Sequence, residues 1–264
     1  MDNNILSTKP CEIISIKKEN AHEYTFKVST DIIPEHGQFL QLSIPKFGEA
    51  PISVSGFGNG YMDFTIRSVG KVTNAIFRLQ PGDNIYLRGP YGKGWPFEKF
   101  KDKNLVIVAG GTGVAPVRSM INEVCNNKGY LTSLNLLFGF RDANAILFRD
   151  ELKKWKNEFN AIYTLDNENI DGFEQGLVTK HINKALKKEF ENNYEIIVVG
   201  PPMMMHFTCL EFLKLGVPEK KIWTSFERKM SCAVGKCGHC RINETYVCLE
   251  GPVFNYTKAK ALLD

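Results

Sequence analysis

A chain of 264 residues, 43% hydrophobic and 23% charged, has an ordinary globular composition and suits two domains with a small appendage. Its net charge of +4 comes without a long basic block, which argues against nucleic-acid binding. No apolar run approaches the roughly twenty residues of a membrane span, and residues 1–11 show neither a basic n-region nor an apolar h-region. A cytoplasmic location and no membrane partner are the expectations. The total of seven cysteines is odd, which speaks against a disulfide framework.

Short strands open the chain. Partial apolar/polar alternation falls on residues 12–17, 24–28, 39–44, 61–66 and 84–87, separated by turn signals at 34–37, 45–48, 56–60 and 81–83. Strands at this spacing without long helices predict a closed antiparallel barrel, with residues 73–79 as one short helix capping an end. Three pieces carry a weak chemical signal: Pro51-Ile52-Ser53 after a turn, Thr65-Ile66-Arg67 on a later strand, and Gly70-Lys71-Val72-Thr73 opening the helix. A helix N-terminus with a glycine and a threonine hydroxyl suits a pyrophosphate, and Arg67 offers a fixed positive charge. Taken singly, these are ordinary strand and surface residues.

The texture changes at Lys101. Residues 105–109, Leu-Val-Ile-Val-Ala, form a continuous apolar run, as expected of a strand buried on both faces. It leads into Gly110-Gly111-Thr112-Gly113-Val-Ala-Pro116 and a helix with Met120, Ile121 and Val124 at helical spacing. Strand, glycine-rich turn and helix place phosphate against backbone N–H groups, although the pattern is not G-x-G-x-x-G, and such a turn often serves only tight packing. Further βα units follow: a strand at 134–138 ending in Gly139-Phe-Arg141-Asp142, a helix from 148 to 155, a strand at 160–165, an amphipathic helix over 179–190, and a strand at 195–199. That last strand ends in Gly200-Pro201-Pro202-Met203, with a helix to 215 and a final strand at 222–226. The alternation predicts a parallel sheet with its ligands beyond the carboxyl ends of the strands, where the three glycine turns converge.

Residues 227–248 carry Cys232, Cys237, Cys240 and Cys248. The first three are spaced C-x4-C-x2-C, the opening of the plant-type [2Fe–2S] ligand loop, and the fourth returns after seven residues. Gly235 and Gly238 let the backbone curl around inorganic sulfide. A structural zinc is the rival, but zinc sites usually show two paired knuckles and only Cys237 and Cys240 form one. His239 has no second histidine nearby for a Rieske centre. Cys11, Cys125 and Cys209 read as buried apolar fillers.

With these motifs in this order, the chain resembles the ferredoxin–NADP reductase superfamily over its whole length. Its cysteine-rich end looks like that of electron-transfer subunits related to dihydroorotate dehydrogenase B and hydrogenase gamma subunits. Residues 246–260 look closest to the B subunit of anaerobic sulfite reductase. The resemblance implies an FAD-binding barrel over residues 1–100, an NAD(P)H-binding α/β domain over 101–226 and a [2Fe–2S] domain over 227–264. It implies FAD on Pro51, Ile52, Ser53, Thr65, Ile66, Arg67, Gly70, Val72 and Thr73, with Ser53 near flavin N5 as the sole candidate catalytic side chain. NADH or NADPH would lie on Gly110, Gly111, Thr112, Gly113, Pro116, Gly139, Arg141, Asp142, Gly200, Pro201, Pro202 and Met203. Three departures from the family stand out: Ala50 replaces an arginine, Ile52 replaces a stacking tyrosine, and the cysteine often found before the Gly-Pro is Val199.

The implied function is electron transfer from NADH through FAD and the cluster to iron–sulfur and sirohaem-type subunits of a sulfite reductase complex. A dihydroorotate dehydrogenase or hydrogenase partner is the alternative. A zinc-stapled nucleotide-binding protein without redox activity is the alternative from another class. A nicotinamide delivers an electron pair and a cluster accepts single electrons, so a flavin belongs between them.

Overall fold

A computed structural model describes residues 6–187, 190–191 and 193–262. They fall into two compact units. One holds the chain through Trp95 together with Ala115–Ser119 and Phe226–Val253; the other holds Pro96–Val114, Met120–Ser225 and the residues from Phe254 onward.

The first unit is built on the expected barrel. Strands β1 (Lys9–Lys18), β2 (Glu23–Ser29), β3 (Phe39–Ile44), β4 (Gly48–Gly58), β5 (Tyr61–Arg67) and β6 (Asn84–Tyr91) close in the order β1-β2-β5-β4-β3-β6, with β6 returning to β1. Closure leaves no unpaired edge. Alternation decides what fills the interior: Leu40, Leu42 and Ile44 of β3 join Phe26, Met62, Phe64, Ile85 and Leu87 in one core. The neighbours Phe39, Gln41 and Arg88 therefore face outward, and all three are nevertheless buried.

Two local expectations are corrected here. Residues 56–58 continue β4 rather than turn, and the turn is Asn59-Gly60, with Gly60 at φ +77°. Gly56 sits at a register shift between β4 and β5, where a Cβ would lie 2.7 Å from Arg118 Nη1 and 2.8 Å from Asp63 Oδ2. Its glycine serves close approach in a bulge, not chain reversal. The short helix α1 (Lys71–Ile76) begins before Thr73, because the Thr73 hydroxyl reaches back to accept from the N–H groups of Val69 and Gly70, each at 3.0 Å.

The second unit carries the expected parallel sheet. Strands β7 (Asn104–Gly110), β8 (Ser133–Phe140), β9 (Asn160–Leu165), β10 (Glu174–Gln175), β11 (Tyr194–Val199) and β12 (Ile222–Ser225) run in the order β10-β9-β8-β7-β11-β12, with β15 (Val253–Asn255) beyond β12. Every residue of β7 and β11 is buried, which is why both read as unbroken apolar runs. Helices α2 (Ala115–Asn126), α3 (Arg149–Glu158) and α5 (Pro202–Lys214) fall where periodicity placed them. The helix expected over 179–190 does not form as one piece. Val178–His181 is a 3-10 turn followed by the single-turn α4 (Ile182–Ala185), and residues 188 and 189 lie outside the described part of the chain. β-Branched Val178, Thr179 and Ile182 favour such a short, tight form over a long helix.

His36 belongs to the first unit and gives it a pH response. Its Nδ1 lies 2.9 Å from Ser119 Oγ and its ring 5.1 Å from Phe57, and burial pushes its pKa down to about 4. The unfolded chain takes up that proton near pH 6.5. Between the two values the unfolded state binds more protons, so stability falls as pH drops from about 6.5 to 4, by about 3 kcal/mol in all. His36→Asn is expected to flatten this slope in urea titrations between pH 7 and 4.5; an unchanged slope would show that His36 is not its source.

Candidate functional site

The family resemblance puts the flavin on the barrel, and Ser53 and Pro51 lie on its outer face beside Phe39 and Gln41. Phe39 pairs with Ser53, Gln41 with Pro51 on one side and Arg88 on the other, so three strands present these side chains together. Ser53 and Pro51 are half-buried. Gln41 is fully buried, yet neither its amide nitrogen nor its amide oxygen has a hydrogen-bond partner among the described residues. A buried amide with both ends open is costly unless something polar meets it. Protein atoms already cover that amide, so on this face it is half-buried Pro51 and Ser53 that a flavin would reach. This fit belongs to the residues themselves.

Other residues expected at the flavin are engaged within the protein. Ile66 is 1% exposed in the barrel core, and Ile52 and Val72 pack against that core while keeping partial exposure. Thr65 Oγ1 lies 3.0 Å from Thr25 Oγ1 and donates to Ser55 Oγ at 2.9 Å. Arg67 Nε stands 3.3 Å from buried Glu23, and Thr73 spends its hydroxyl on capping Val69 and Gly70. Contact with a cofactor at Ile66 and Gly70 is therefore left to the main chain.

The cysteine loop lies in the same unit. Three residues take left-handed backbone there: Ala233 (φ +59°), Gly235 (φ +73°) and Gly238 (φ +79°). These turns aim N–H groups at sulfur. Val234, Lys236 and Cys237 donate to Cys232 Sγ at 3.4, 3.3 and 3.4 Å, and Gly235 donates to Cys248 Sγ at 3.3 Å. A Cβ on Gly235 would push the exposed Leu249 side chain aside, so it is the left-handed backbone that calls for glycine there. The seven-residue return is made by a hairpin the sequence reading missed. Strands β13 (Arg241–Ile242) and β14 (Thr245–Tyr246) reverse at Asn243 (φ +50°), and the one-turn α6 (Val247–Glu250) then delivers Cys248.

Adjacent N–H groups of one loop thus serve both Cys232 and Cys248, and Cys237 and Cys240 interact with them electrostatically, so the four thiols lie together. Among the described residues, no three His, Cys, Asp or Glu side chains close around a point that one ion would fill. Four thiolates gathered without a single-ion site would fit a two-iron cluster. Exposed Cys237 is pushed down to about 7 by the backbone N–H groups of Cys232 and His239, whereas burial pushes Cys248 up to about 12. Cys11, Cys125 and Cys209 are buried, as expected of fillers, and burial alone raises Cys209 to about 12.

A second feature escaped sequence reasoning: Arg88, 5% exposed on the outer face. It donates to Glu49, to the Tyr91 hydroxyl and to the carbonyls of Ser231 and Cys232. The Glu49 hydrogen bonds hold its pKa above the ordinary arginine value. The sole sequence signal was a lone arginine after Leu87 in an otherwise alternating strand.

In the second unit, the strand order reverses between β7 and β11, and this switch point is where open parallel sheets bind nucleotides. Gly110 ends β7 and Gly200 follows β11. A Cβ on Gly113 would lie 2.6 Å from the Val199 carbonyl oxygen and 2.8 Å from Gly200 Cα; one on Gly200 would lie 3.0 Å from the Gly110 nitrogen. The two loops thus meet backbone to backbone, whereas Gly111 (φ +53°) faces open space and Thr112 is half-buried. Met203 is 64% exposed at the start of α5, while Met205 packs inside at 3%. Pro201 and Pro202 are exposed beside it. Gly139 is spoken for by packing, since its Cβ would meet Val178 Cγ1 at 2.6 Å. Arg141 Nε donates to Asp142 at 2.8 Å, and that bond holds the Asp142 pKa down. Asp142 also accepts from the N–H groups of Asn144 and Ala145. Pro116, in the first unit, is buried and its carbonyl accepts from Trp95 Nε1 at 2.9 Å.

A barrel with a polar outer face, a switch-point sheet and a four-thiol loop define a flavin- and nicotinamide-dependent iron–sulfur electron carrier. The chain matches three sequence families: the oxidoreductase FAD-binding domain over residues 12–95, the oxidoreductase NAD-binding domain over 107–210, and the iron–sulfur cluster binding domain of dihydroorotate dehydrogenase B over 227–260. It is 33% identical over 273 aligned residues to the sulfhydrogenase 2 gamma subunit of Pyrococcus furiosus, covering 94% of each chain. It is 31% identical to a probable dihydroorotate dehydrogenase B electron transfer subunit of Methanocaldococcus jannaschii, covering 95% of this chain and 90% of that one. A chain of the NADH-dependent reduced ferredoxin–NADP oxidoreductase superimposes with a TM-score of 0.78 over 97% of this chain and 94% of that one, at 22% identity, which speaks to fold alone. The protein belongs to the ferredoxin–NADP reductase-like electron-transfer subunits that carry a dihydroorotate-dehydrogenase-B-type iron–sulfur domain. Its cofactors are FAD, NAD(P)H and a [2Fe–2S] cluster, and the match over the cysteine segment sets aside the zinc alternative. Among the described residues no helix is long and apolar enough to cross a membrane.

Proposed function

We propose that this chain takes electrons from NADH and passes them, one at a time, to the catalytic subunit of a multi-subunit redox enzyme of the hydrogenase or dihydroorotate dehydrogenase type. The placement of the four-thiol loop and the flavin-bearing barrel in one compact unit carries this reading. The relatives named above, matched nearly end to end, are subunits of that kind. A partner that reduces sulfite, with iron–sulfur and sirohaem-type subunits, is the second reading; it rests on residues 246–260 alone.

When bound, the flavin supplies the junction between a two-electron donor and a one-electron acceptor. Pro51 and Ser53 would border it, Ser53 offering its hydroxyl to the ring, and the main chain at Ile66 and Gly70 would supply the remaining contacts. Gly110, Gly111, Thr112 and Gly113 would hold the nicotinamide nucleotide's phosphates with their backbone N–H groups, with Gly200, Pro201, Pro202 and Met203 completing the site. Asp142 keeps Arg141 occupied, so a 2′-phosphate would find that guanidinium already paired, which favours NADH. Cys232, Cys237, Cys240 and Cys248 hold the cluster, and no acid–base side chain is needed for the transfer. These roles divide the chain functionally into residues 1–100, 101–226 and 227–264.

Affinity purification of the tagged chain from its own cells without oxygen, followed by mass spectrometry and assay of the attached subunit, tests the partner. A hydrogenase or dihydroorotate dehydrogenase subunit supports the first reading. A sirohaem-containing subunit with sulfite reductase activity replaces it with the second.

A further inference from the structure

Arg88 combines burial, a permanent charge and an unusual set of acceptors. Its Nε lies 2.9 and 3.1 Å from the two Glu49 carboxylate oxygens, and its Nη2 lies 2.6 Å from the second of them. Its Nη1 donates to Tyr91 OH at 3.0 Å and to the Cys232 carbonyl at 2.8 Å, while Nη2 also donates to the Ser231 carbonyl at 2.5 Å. Buried ion pairs are poor sources of stability, because desolvation cancels most of the attraction. They are better suited to fixing a geometry. Here the pair ties β6 of the barrel to the loop at its first cysteine. Its Nη2 is shared between the Glu49 carboxylate and the Ser231 carbonyl of the loop, and the Glu49 side chain is 29% exposed.

We propose that the Arg88–Glu49 pair sets the redox poise of the cluster while fixing its loop on the barrel, a role that rests on reading residues 227–248 as a [2Fe–2S] site. One electron arrives from the flavin and one leaves for the partner's acceptor, so the reduced cluster carries one more negative charge than the oxidised one. A buried cation beside a ligand's carbonyl favours the reduced form, and the carboxylate tempers it. Arg88 is buried and weakly screened, whereas part-exposed Glu49 is screened more, so the carboxylate's effect is the smaller of the two. Arg88 stays protonated throughout and exchanges no electron. It is a positioning residue.

The test is an EPR-monitored redox titration of purified holoprotein, with iron, sulfide and flavin measured for wild type, Arg88→Gln, Arg88→Lys and Glu49→Gln. Arg88→Gln is expected to shift the cluster's reduction equilibrium toward the oxidised form about tenfold, about 59 mV for a one-electron couple. Glu49→Gln is expected to shift it the opposite way. Arg88→Lys keeps a potential near wild type but loses iron faster to a chelator, because an ammonium lacks the planar fork that serves several acceptors at once. A merely structural role would lower cluster content without opposed shifts. Wild-type potential in both Arg88→Gln and Glu49→Gln, or shifts of the same sign, overturns the proposal. If Arg88→Gln retains no iron, Glu49→Gln decides alone, and an unshifted potential there is equally fatal. Wild type lacking iron and sulfide overturns the underlying cluster reading; loaded wild type with unshifted variants overturns only the role of the pair.

Discussion

Replacing Cys240 with serine is expected to abolish the cluster and stop electron delivery to the partner, while NADH still bleaches the flavin. Cys240 is 2% exposed and grouped with Cys248, which is 1% exposed, so the substituted oxygen has no access to solvent or to a spare thiol. Iron–sulfur clusters are held by soft thiolates, and a hydroxyl is a poor substitute. Loss even of outer-shell partners costs about 10–100-fold at metal sites, so removal of a ligand should reduce transfer to the partner more than about 100-fold. Stopped-flow bleaching of the flavin together with the low-temperature EPR signal separates the two halves of the path. An undiminished EPR signal in Cys240→Ser would contradict the assignment of that cysteine.

The second large effect is expected at Gly113. An alanine methyl there meets the Val199 carbonyl oxygen at 2.6 Å and Gly200 Cα at 2.8 Å, and both are backbone atoms that cannot rotate aside. The end of β11 must move, at about 1–3 kcal/mol of overpacking. If that strain falls on the nucleotide site, kcat/KM for NADH drops roughly tenfold to a hundredfold in Gly113→Ala, since each 1.36 kcal/mol is a factor of ten. Flavin content should not change, because the barrel is a separate compact unit. Gly111→Ala is the control: its added methyl meets nothing within 4 Å, though its φ of +53° is strained for any L side chain. Equal kinetics for wild type and Gly113→Ala would show that the contact between these two loops does not shape the nucleotide site.

Much of this arrangement was legible because its signals are local. The buried runs of β7 and β11 could only be strands covered on both faces, and the C-x4-C-x2-C spacing exposes a cluster loop within a few residues. The glycine turns after those strands were equally visible. What escaped was set by distant partners. Gly56 looks like a turn until Asp63 and Arg118 are brought against it. The return to Cys248 depends on Asn243 taking a left-handed conformation, which no apolar pattern announces. Residues 179–190 have helical periodicity, but their β-branched start and the packing at Val178 and Ile182 break it. Gln41 and Arg88 were invisible for the same reason: nothing in a strand's own residues tells that its outward face will be covered. The sulfite-reducing partner was read from residues 246–260 alone, and the relatives found instead assemble as hydrogenase and dihydroorotate dehydrogenase subunits.

The central claim is that electron pairs enter this chain from a nicotinamide and leave it singly through sulfur-bound iron. Anaerobic titration of the purified chain with NADH, following visible absorbance and EPR after flavin, iron and acid-labile sulfide have been quantified, measures this directly. The expected result is one flavin with two irons and two sulfides per chain, with flavin and cluster signals both responding to NADH. Protein prepared without oxygen that carries no flavin, or whose iron stays oxidised while NADH is consumed, would contradict it.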